Sequence, residues 1–392
     1  MNIKEAKQEI KNTVTVYLDK DEYGGYRIPA VRQRPILLIG PPGVGKTQIM
    51  EQVAEECGIG LVSYTITHHT RQTAVGLPFI REREFDGQIY SVTEYTMSEI
   101  IASIYHAMEE RREGILFIDE INCVSETLAP TMLQFLQNKT FGNQPVPPGW
   151  IIVTAGNPPE YNKSVREFDI VTLDRVRRID VQADLGVWEE YASDAGIHRA
   201  ILAYLKLHPE HFYIMETDVD GRHFVTARGW EDFSHLLYAY RENGIPVTED
   251  VVYEYLPHRE VAEDFADYLE LFARYEEEYP IDAILDGEVP GVIYERLLRA
   301  GFDERVAVTE LILTGLVNRL REDTLANAFS FMEEAFGESE EMVIFVTELT
   351  MNAESVLFLA DHPSEAYLKY SERLLIGTRR GELLAEIRGE RE

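Results

Sequence analysis

The sequence predicts an α/β fold: an αβα sandwich around a five-stranded, mostly parallel sheet, with a helical second half. Three observations predict it. Short, β-branched apolar runs alternate with helical patterns through the first half of the chain. One of these runs leads straight into a glycine-rich turn and then a helix. From about residue 184 the periodicity turns helical and stays so. At 392 residues the chain has room for two or three domains.

The strands are expected at Ile36–Ile39, Leu61–Ile66, Ile115–Ile118, Ile151–Thr154 and Ile179–Gln182. Each is a short apolar run, as a strand covered on both faces should be. Helices fall between them. After Thr47, Met50, Val53, Ala54 and Cys57 recur at helical spacing, and Gly58 suits the residue past a helix end. Over Leu128–Leu136, the residues Leu128, Met132, Leu133 and Leu136 share a face. Phe79–Phe85 and Gln88–Tyr95 flank Asp86-Gly87, a favoured two-residue type I′ turn, and read as a β-hairpin. It precedes the helical stretch Ser98–Arg111 and so is inserted in the helix layer, either as an ordinary surface hairpin or as a protruding arm. In the second half Phe265, Tyr268, Leu269 and Phe272 share a face, as do Leu313, Leu316, Val317 and Leu320. Pro280–Gly291 is the best linker candidate.

The glycine-rich turn carries the chemistry. Gly40-Pro41-Pro42-Gly43-Val44-Gly45-Lys46-Thr47 matches G-x-x-x-x-G-K-T between a strand and a helix. Gly40, Gly43 and Gly45 let the backbone curl its N–H groups around an anion, and the following helix adds its positive end. Lys46 supplies a point charge for the β- and γ-phosphates, and Thr47 a hydroxyl for Mg²⁺. The segment therefore predicts binding of a nucleoside triphosphate. Hydrolysis needs more. Asp119, at the end of an apolar strand, can hold the Mg²⁺ shell opposite Thr47, and Glu120 can polarise the attacking water. Asn157, at the tip of the strand through Thr154, can bind both γ-phosphate and water. Charge in the transition state calls for cations. Arg175 sits before the last strand, where it can face a neighbouring subunit's nucleotide. Arg177 and Arg178 are alternatives, and Arg166 is a weaker one. Arg228, in Val225-Thr-Ala-Arg-Gly-Trp230, starts a helix in the second half.

Composition narrows the partners. The net charge of −32 argues against a nucleic-acid backbone, which needs a basic surface. No apolar run approaches membrane-spanning length, and Met1–Lys7 lacks a signal-peptide apolar region, so no membrane is expected. Two separated cysteines, Cys57 and Cys123, suggest a reducing cytoplasm. His68-His69 and His208-x-x-His211 have no cysteine or carboxylate framework and read as ordinary polar residues.

In order, GPPGVGKT, ILFIDE, TAGNPP, LDRV and TARGW resemble the motifs of the AAA+ ATPases, and most of all their MoxR-type branch, with its hairpin at helix 2 and an LDRF-like motif. The resemblance covers roughly residues 25–245. It implies a P-loop NTPase sandwich over 1–183 with the hairpin insert at 79–95, a helical lid over 184–279, and an acidic all-α C-terminal region over 280–392. It implies Walker A at Gly40–Thr47, Walker B at Ile115–Glu120, sensor 1 at Asn157, an arginine finger at Arg175 and sensor 2 at Arg228. Val176 stands where the branch usually has Phe. ATP and Mg²⁺ are the implied cofactors, with a ring of like subunits, a hexamer, as the implied assembly. Similar proteins are chaperone-like assembly or activation factors, often acting with a von Willebrand A-type partner, here necessarily a separate protein.

Overall fold

The computed structural model describes residues 1–68, 70–141, 144–161, 165, 168–217, 221–362 and 364–374. The chain divides into two compact units, Met1–Asp184 and Leu185–Glu392.

The first unit is built on β1 (Ile36–Ile39), β2 (Gly60–Thr65), β5 (Gly114–Asp119), β8 (Trp150–Gly156) and β9 (Arg177–Asp180), hydrogen-bonded in the order β2-β5-β8-β1-β9. All neighbouring pairs are parallel, with Ile36 opposite both Val153 and Arg177, and Ile115 opposite Leu61 and Ile151. The three central strands are buried over almost their whole length, which is why they read as unbroken apolar runs. The edge strand β9 starts and ends two residues earlier than its apolar stretch suggests, because its ladder to β1 begins at Arg177.

Helices α1 (Ile3–Leu18), α2 (Gln48–Cys57), α3 (Arg71–Val75), α4 (Glu99–Ala107), α5 (Ala129–Asn138) and α6 (Ile170–Leu173) accompany the sheet. A capping box of Asn2 and Glu5 starts α1, and ion pairs from Lys7 and Lys11 to Glu56 tie it to α2. Gly58 ends α2 at φ 66°. In α5 the buried face is Leu128, Met132, Phe135 and Leu136, with Phe135 in place of the expected Leu133. Between α3 and α4 stands the antiparallel hairpin β3 (Pro78–Phe85) and β4 (Gln88–Tyr95). Asp86 at φ 52° and Gly87 at φ 77° form its turn. Gly76, at φ 103°, closes the base: a Cβ there would lie 2.1 Å from the Thr96 carbonyl oxygen. A short ladder of β6 (Thr140–Phe141) and β7 (Gln144–Pro145) completes the unit.

The second unit is mainly helical, with α7 (Leu185–Asp194), α8 (Arg199–Leu207), α9 (Ala227–Glu242), α10 (Glu249–Tyr255) and α11 (Arg259–Glu278) followed by α12 (Ile281–Leu285), α13 (Gly291–Leu297), α14 (Phe302–Asn318), α15 (Glu322–Phe336), α16 (Glu340–Leu349), α17 (Ala353–Asp361) and α18 (Glu365–Leu374). It departs from the sequence expectation in two places. An antiparallel pair, β10 (Ile214–Thr217) and β11 (Arg222–Val225), interrupts the helical run; its strands are too short to register as a period. Pro280–Gly291 is not an exposed linker, for it contains α12, whose Ile284 and Leu285 are fully buried. Gly315 explains how α12 fits: a Cβ there would stand 2.8 Å from Ile281 and 2.9 Å from Leu285, so the glycine lets α12 lie close on α14. Helix α14 is buried continuously from Val306 to Leu313, beyond the single expected face, as a central core helix is. Among the described residues no single helix is long and apolar enough to cross a membrane.

Candidate functional site

Because the five strands run the same way, their C-terminal ends place Gly40, Asp119 and Asn157 on one edge of the sheet, at the tips of β1, β5 and β8 respectively, which are neighbours in the order β5-β8-β1. The loop after β1 turns on Gly43 at φ 76° and Gly45 at φ 87°. Gly40 has no room for a side chain, since a Cβ would lie 2.7 Å from the Val181 carbonyl oxygen on β9's extension. Pro41, Pro42 and Val44 complete the curl, and α2 starts directly after Thr47 with its N-terminus on the loop.

Two loop-to-strand contacts join the expected residues. Lys46 is buried, and its Nζ donates to Gly40 O at 2.8 Å, Pro41 O at 2.7 Å and Asn157 Oδ1 at 3.1 Å. The Thr47 hydroxyl donates to Asp119 Oδ2 at 2.7 Å, so a hydroxyl and a carboxylate meet as two hard oxygen ligands. Asp119 Oδ1 accepts from the Glu120 backbone N–H at 2.8 Å. Glu120 itself sits at φ 57°, an uncommon place for a residue with a side chain.

Two further residues were missed by reading the sequence. Thr67, in the single helical turn after β2, donates to Glu120 Oε2 at 2.7 Å and holds that carboxylate. Asn122, buried between β5 and β8, donates to the Asn157 backbone oxygen at 2.8 Å. Gly156 makes room for it, since a Cβ there would stand 2.4 Å from Asn122 Oδ1. The one signal for Asn122 was a polar residue two places after the acidic pair; Thr67 gave none.

The arginines separate. Arg177 is bound within the unit, to Glu9 and to the Thr13 hydroxyl of α1. Arg178 pairs with Asp180 at 2.7 Å. Arg166 lies outside the described residues, as does His69. Arg175 is exposed, between α6 and β9, and donates to Gln137 Oε1 at the end of α5. Since Arg177 is level with Ile36, Arg175 lies beyond the N-terminal end of β1, while the phosphate loop follows its C-terminal end at Ile39. At about 3.3 Å per residue, the two are separated by roughly 15–20 Å along the strand direction. Arg175 is thus at the far end of the sheet from its own chain's loop. Arg228 belongs to the second unit, exposed in the first turn of α9, where Thr226 caps the helix by accepting from Gly229 N at 3.1 Å.

At the other end of β1 from the phosphate loop, Lys139 ends α5 and donates to the Ala30 and Gln33 carbonyls of the turn leading into that strand. Burial pulls its pKa down to about 8. In the second unit a carboxylate does stand by the histidine pair: His208, Glu210 and His211 bring their ligand atoms within 4.8 Å of one another. His211 Nδ1 is 2.7 Å from the Tyr204 hydroxyl, and the two imidazoles stack, closing the end of α8.

Residues 36–174 match the family model described as ATPase family associated with various cellular activities (AAA). The ATP-dependent zinc metalloprotease FtsH of Paraburkholderia phymatum is 41% identical over 122 residues, covering 31% of this chain and 15% of the relative. FtsH of Hahella chejuensis is 27% identical over 122 residues, 31% of this chain and 16% of the relative. The proteasome-activating nucleotidase of Methanothermobacter thermautotrophicus is 28% identical over 123 residues, 31% of this chain and 25% of the relative. The chain thus spans a quarter or less of the length of these curated relatives.

Proposed function

We propose that this chain, whose residues 36–174 are an AAA ATPase family domain, hydrolyses ATP as one subunit of a ring, a hexamer of the MoxR-type branch, and uses the energy to remodel or activate a separate protein partner. The observation that carries the hydrolytic reading is the hydrogen-bonded set joining Lys46 to Asn157 and Thr47 to Asp119, with Glu120 next in line. In this reading Lys46 exchanges its loop carbonyls for the β- and γ-phosphate oxygens. Thr47 and Asp119 would hold Mg²⁺, whose charge offsets that of the phosphates when it is bound. Asn157, pinned through its backbone by Asn122, positions the attacking water. Glu120 takes that water's proton, with Thr67 fixing which carboxylate oxygen is committed elsewhere. Arg175 completes the site of the neighbouring subunit, which its place at the opposite end of the sheet supports. The role of Arg228 as a sensor rests on its motif alone.

Branch and partner rest on the hairpin β3–β4 between α3 and α4 and on Leu173-Asp-Arg-Val176. The hairpin serves as the arm toward the client, and a von Willebrand A-type protein is one candidate client. The relatives named for zinc proteolysis lend only their ATPase portion, since the 392 residues contain no His-Glu-x-x-His. A non-hydrolysing ATP switch is the second reading; the presence of Glu120, Asn157 and Arg175 together favours hydrolysis over it. A nucleic-acid motor is disfavoured by the charge of −32. Two variants test the proposal. Lys46→Ala should abolish ATP binding. Glu120→Gln should keep it while turnover drops by about two to three orders of magnitude, and should trap the client on the ring in ATP. Normal turnover in Glu120→Gln removes this carboxylate as the base and with it the mechanism.

A further inference from the structure

Directly after α8 the chain turns through His208-Pro209-Glu210-His211. Pro209 opens a single turn of 3₁₀ helix, closed by His211 N donating to His208 O at 3.0 Å and Phe212 N to Pro209 O at 3.3 Å. In such a turn residues three apart eclipse, so His208 and His211 stand on one side of it. Glu210 joins them: its Oε1 is 3.6 Å from His208 Nδ1, and the three residues offer ligand atoms within 4.8 Å of one another. His211 is held from behind. Its Nδ1 is 2.7 Å from the Tyr204 hydroxyl, and its backbone oxygen accepts from Trp230 Nε1 at 3.3 Å. Tyr204 is itself buried against Trp230, Phe265 and Tyr268. Glu210 is exposed and His208 half-buried, so these two side chains have room to turn toward a fixed His211.

We infer that His208, Glu210 and His211 form a binding site for a divalent transition-metal ion, Zn²⁺ above all. Two imidazoles and a carboxylate are a set that zinc takes with its fourth position left open. Mg²⁺ seeks oxygen ligands and has little use for imidazole. Tyr204 supplies what orients a ligating imidazole, a partner on its other nitrogen: with a metal on Nε2, His211 Nδ1–H donates to the Tyr204 oxygen. The surrounding field is negative. Glu260 and Asp264 of α11 act on His211 together with Glu210, and the turn follows the C-terminal end of α8, the negative end of that helix. Binding requires one movement. The two imidazoles are stacked, 11° from parallel with centroids 5.2 Å apart, and stacked rings do not aim their lone pairs at one point. Tetrahedral ligands about 2.0–2.2 Å from zinc stand roughly 3.4 Å from one another. The His208–Glu210 contact is already near that spacing, and turning the His208 ring closes the set on His211. The ion thus replaces the ring stack and fastens the turn to Tyr204 and Trp230.

The test uses the full chain, untagged and stripped of metal with a chelator, titrated calorimetrically with Zn²⁺ alone. The parent should bind one Zn²⁺ per chain in a distinct tight phase that excess Mg²⁺ does not displace, and Zn²⁺ should raise the urea midpoint of the second unit. His208→Asn and Glu210→Gln should each weaken that phase about tenfold or more and remove most of the Zn²⁺-dependent rise in midpoint. Their metal-free midpoints should stay near parental, because neither side chain is buried. Affinity for an ATP analogue in Mg²⁺ should be parental in both, which separates this site from the phosphate loop. If His208→Asn fails to fold, Glu210→Gln, whose side chain is exposed, decides alone by the same criteria. A parent without a one-to-one phase overturns the inference and leaves a histidine stack that closes the end of α8. A phase that either variant retains at parental affinity, or that Mg²⁺ displaces, places the ion elsewhere and overturns it as well.

Discussion

Asn157, proposed to position the attacking water, shows how much of a side chain's placement is set by the residues around it. Its side chain accepts from Lys46, and its backbone oxygen is fixed by Asn122, a buried amide that fits only because residue 156 is glycine. Gly156→Ala should push Asn122 aside and release Asn157. The loss of one buried hydrogen bond, about 1–3 kcal/mol, should appear in the transition state as roughly a tenfold or greater fall in turnover. Affinity for an ATP analogue should stay near parental; unchanged turnover would mean that the Asn122 contact does not position Asn157. The division between legible and hidden residues is physical. Gly40–Thr47 and Asp119-Glu120 are contiguous because one loop and one strand end each deliver a complete function. Thr67 meets Glu120 across 53 residues and Asn122 meets Asn157 across 35, and no local pattern encodes such a meeting.

Among the elements, helix α8 carries a buried charge set that no periodicity announces. Lys206 stands 2.8 Å from Glu310 of α14 and 3.2 Å from Glu348 of α16, with Arg199 of α8 at 3.5 Å and 3.9 Å from the same two carboxylates. Burial acts to lower the Lys206 pKa, but Glu310 and Glu348 outweigh it and hold the ammonium above its ordinary range. Burial holds the Glu348 carboxyl up, against the pull of Lys206. Such a set specifies how three helices meet more than it adds net stability. Removing one partner is costly all the same. Lys206→Met should destabilise the second unit by about 3 kcal/mol or more, read as a shift in its urea midpoint, and adding Glu348→Gln should recover part of the loss. An unshifted midpoint would show that the network is not closed in solution. The hairpin β3–β4 is the contrasting case. Asp86-Gly87 and the two flanking runs are local signals, so its strands and its turn were both legible, whereas β10–β11 and α12 are too short to show a period.

For the molecule as a whole, acid should find its weak point in the second unit. His198 is buried at the start of α8; its backbone N–H donates to Ser234 Oγ at 2.8 Å, and its ring Nδ1 accepts from the Ala200 backbone N–H at 3.2 Å. Burial, with a smaller push from Arg241, lowers its pKa from 6.5 to about 4. The folded state keeps the ring neutral while the unfolded chain takes up a proton as pH falls through 6.5. Stability from this group is thus full above pH 6.5 and lost progressively toward about pH 4, by up to ~3 kcal/mol. His198→Asn keeps a capping acceptor and does not titrate, so its urea midpoint should fall less between pH 6.5 and 4 than the parent's; parallel slopes would exclude His198 as the cause. By itself the sequence determined the parallel sandwich, the phosphate loop and the acidic pair, because buried strands and anion-binding turns are made from neighbours in the chain. Only the tertiary structure decided the strand order that gathers Lys46, Asp119 and Asn157 at one edge, the anchoring of Asn157 by Asn122, and the exile of Arg175 to the other end of the sheet. Those depend on pairing between segments dozens of residues apart, which hydrogen-bond ladders and packing choose and local composition does not.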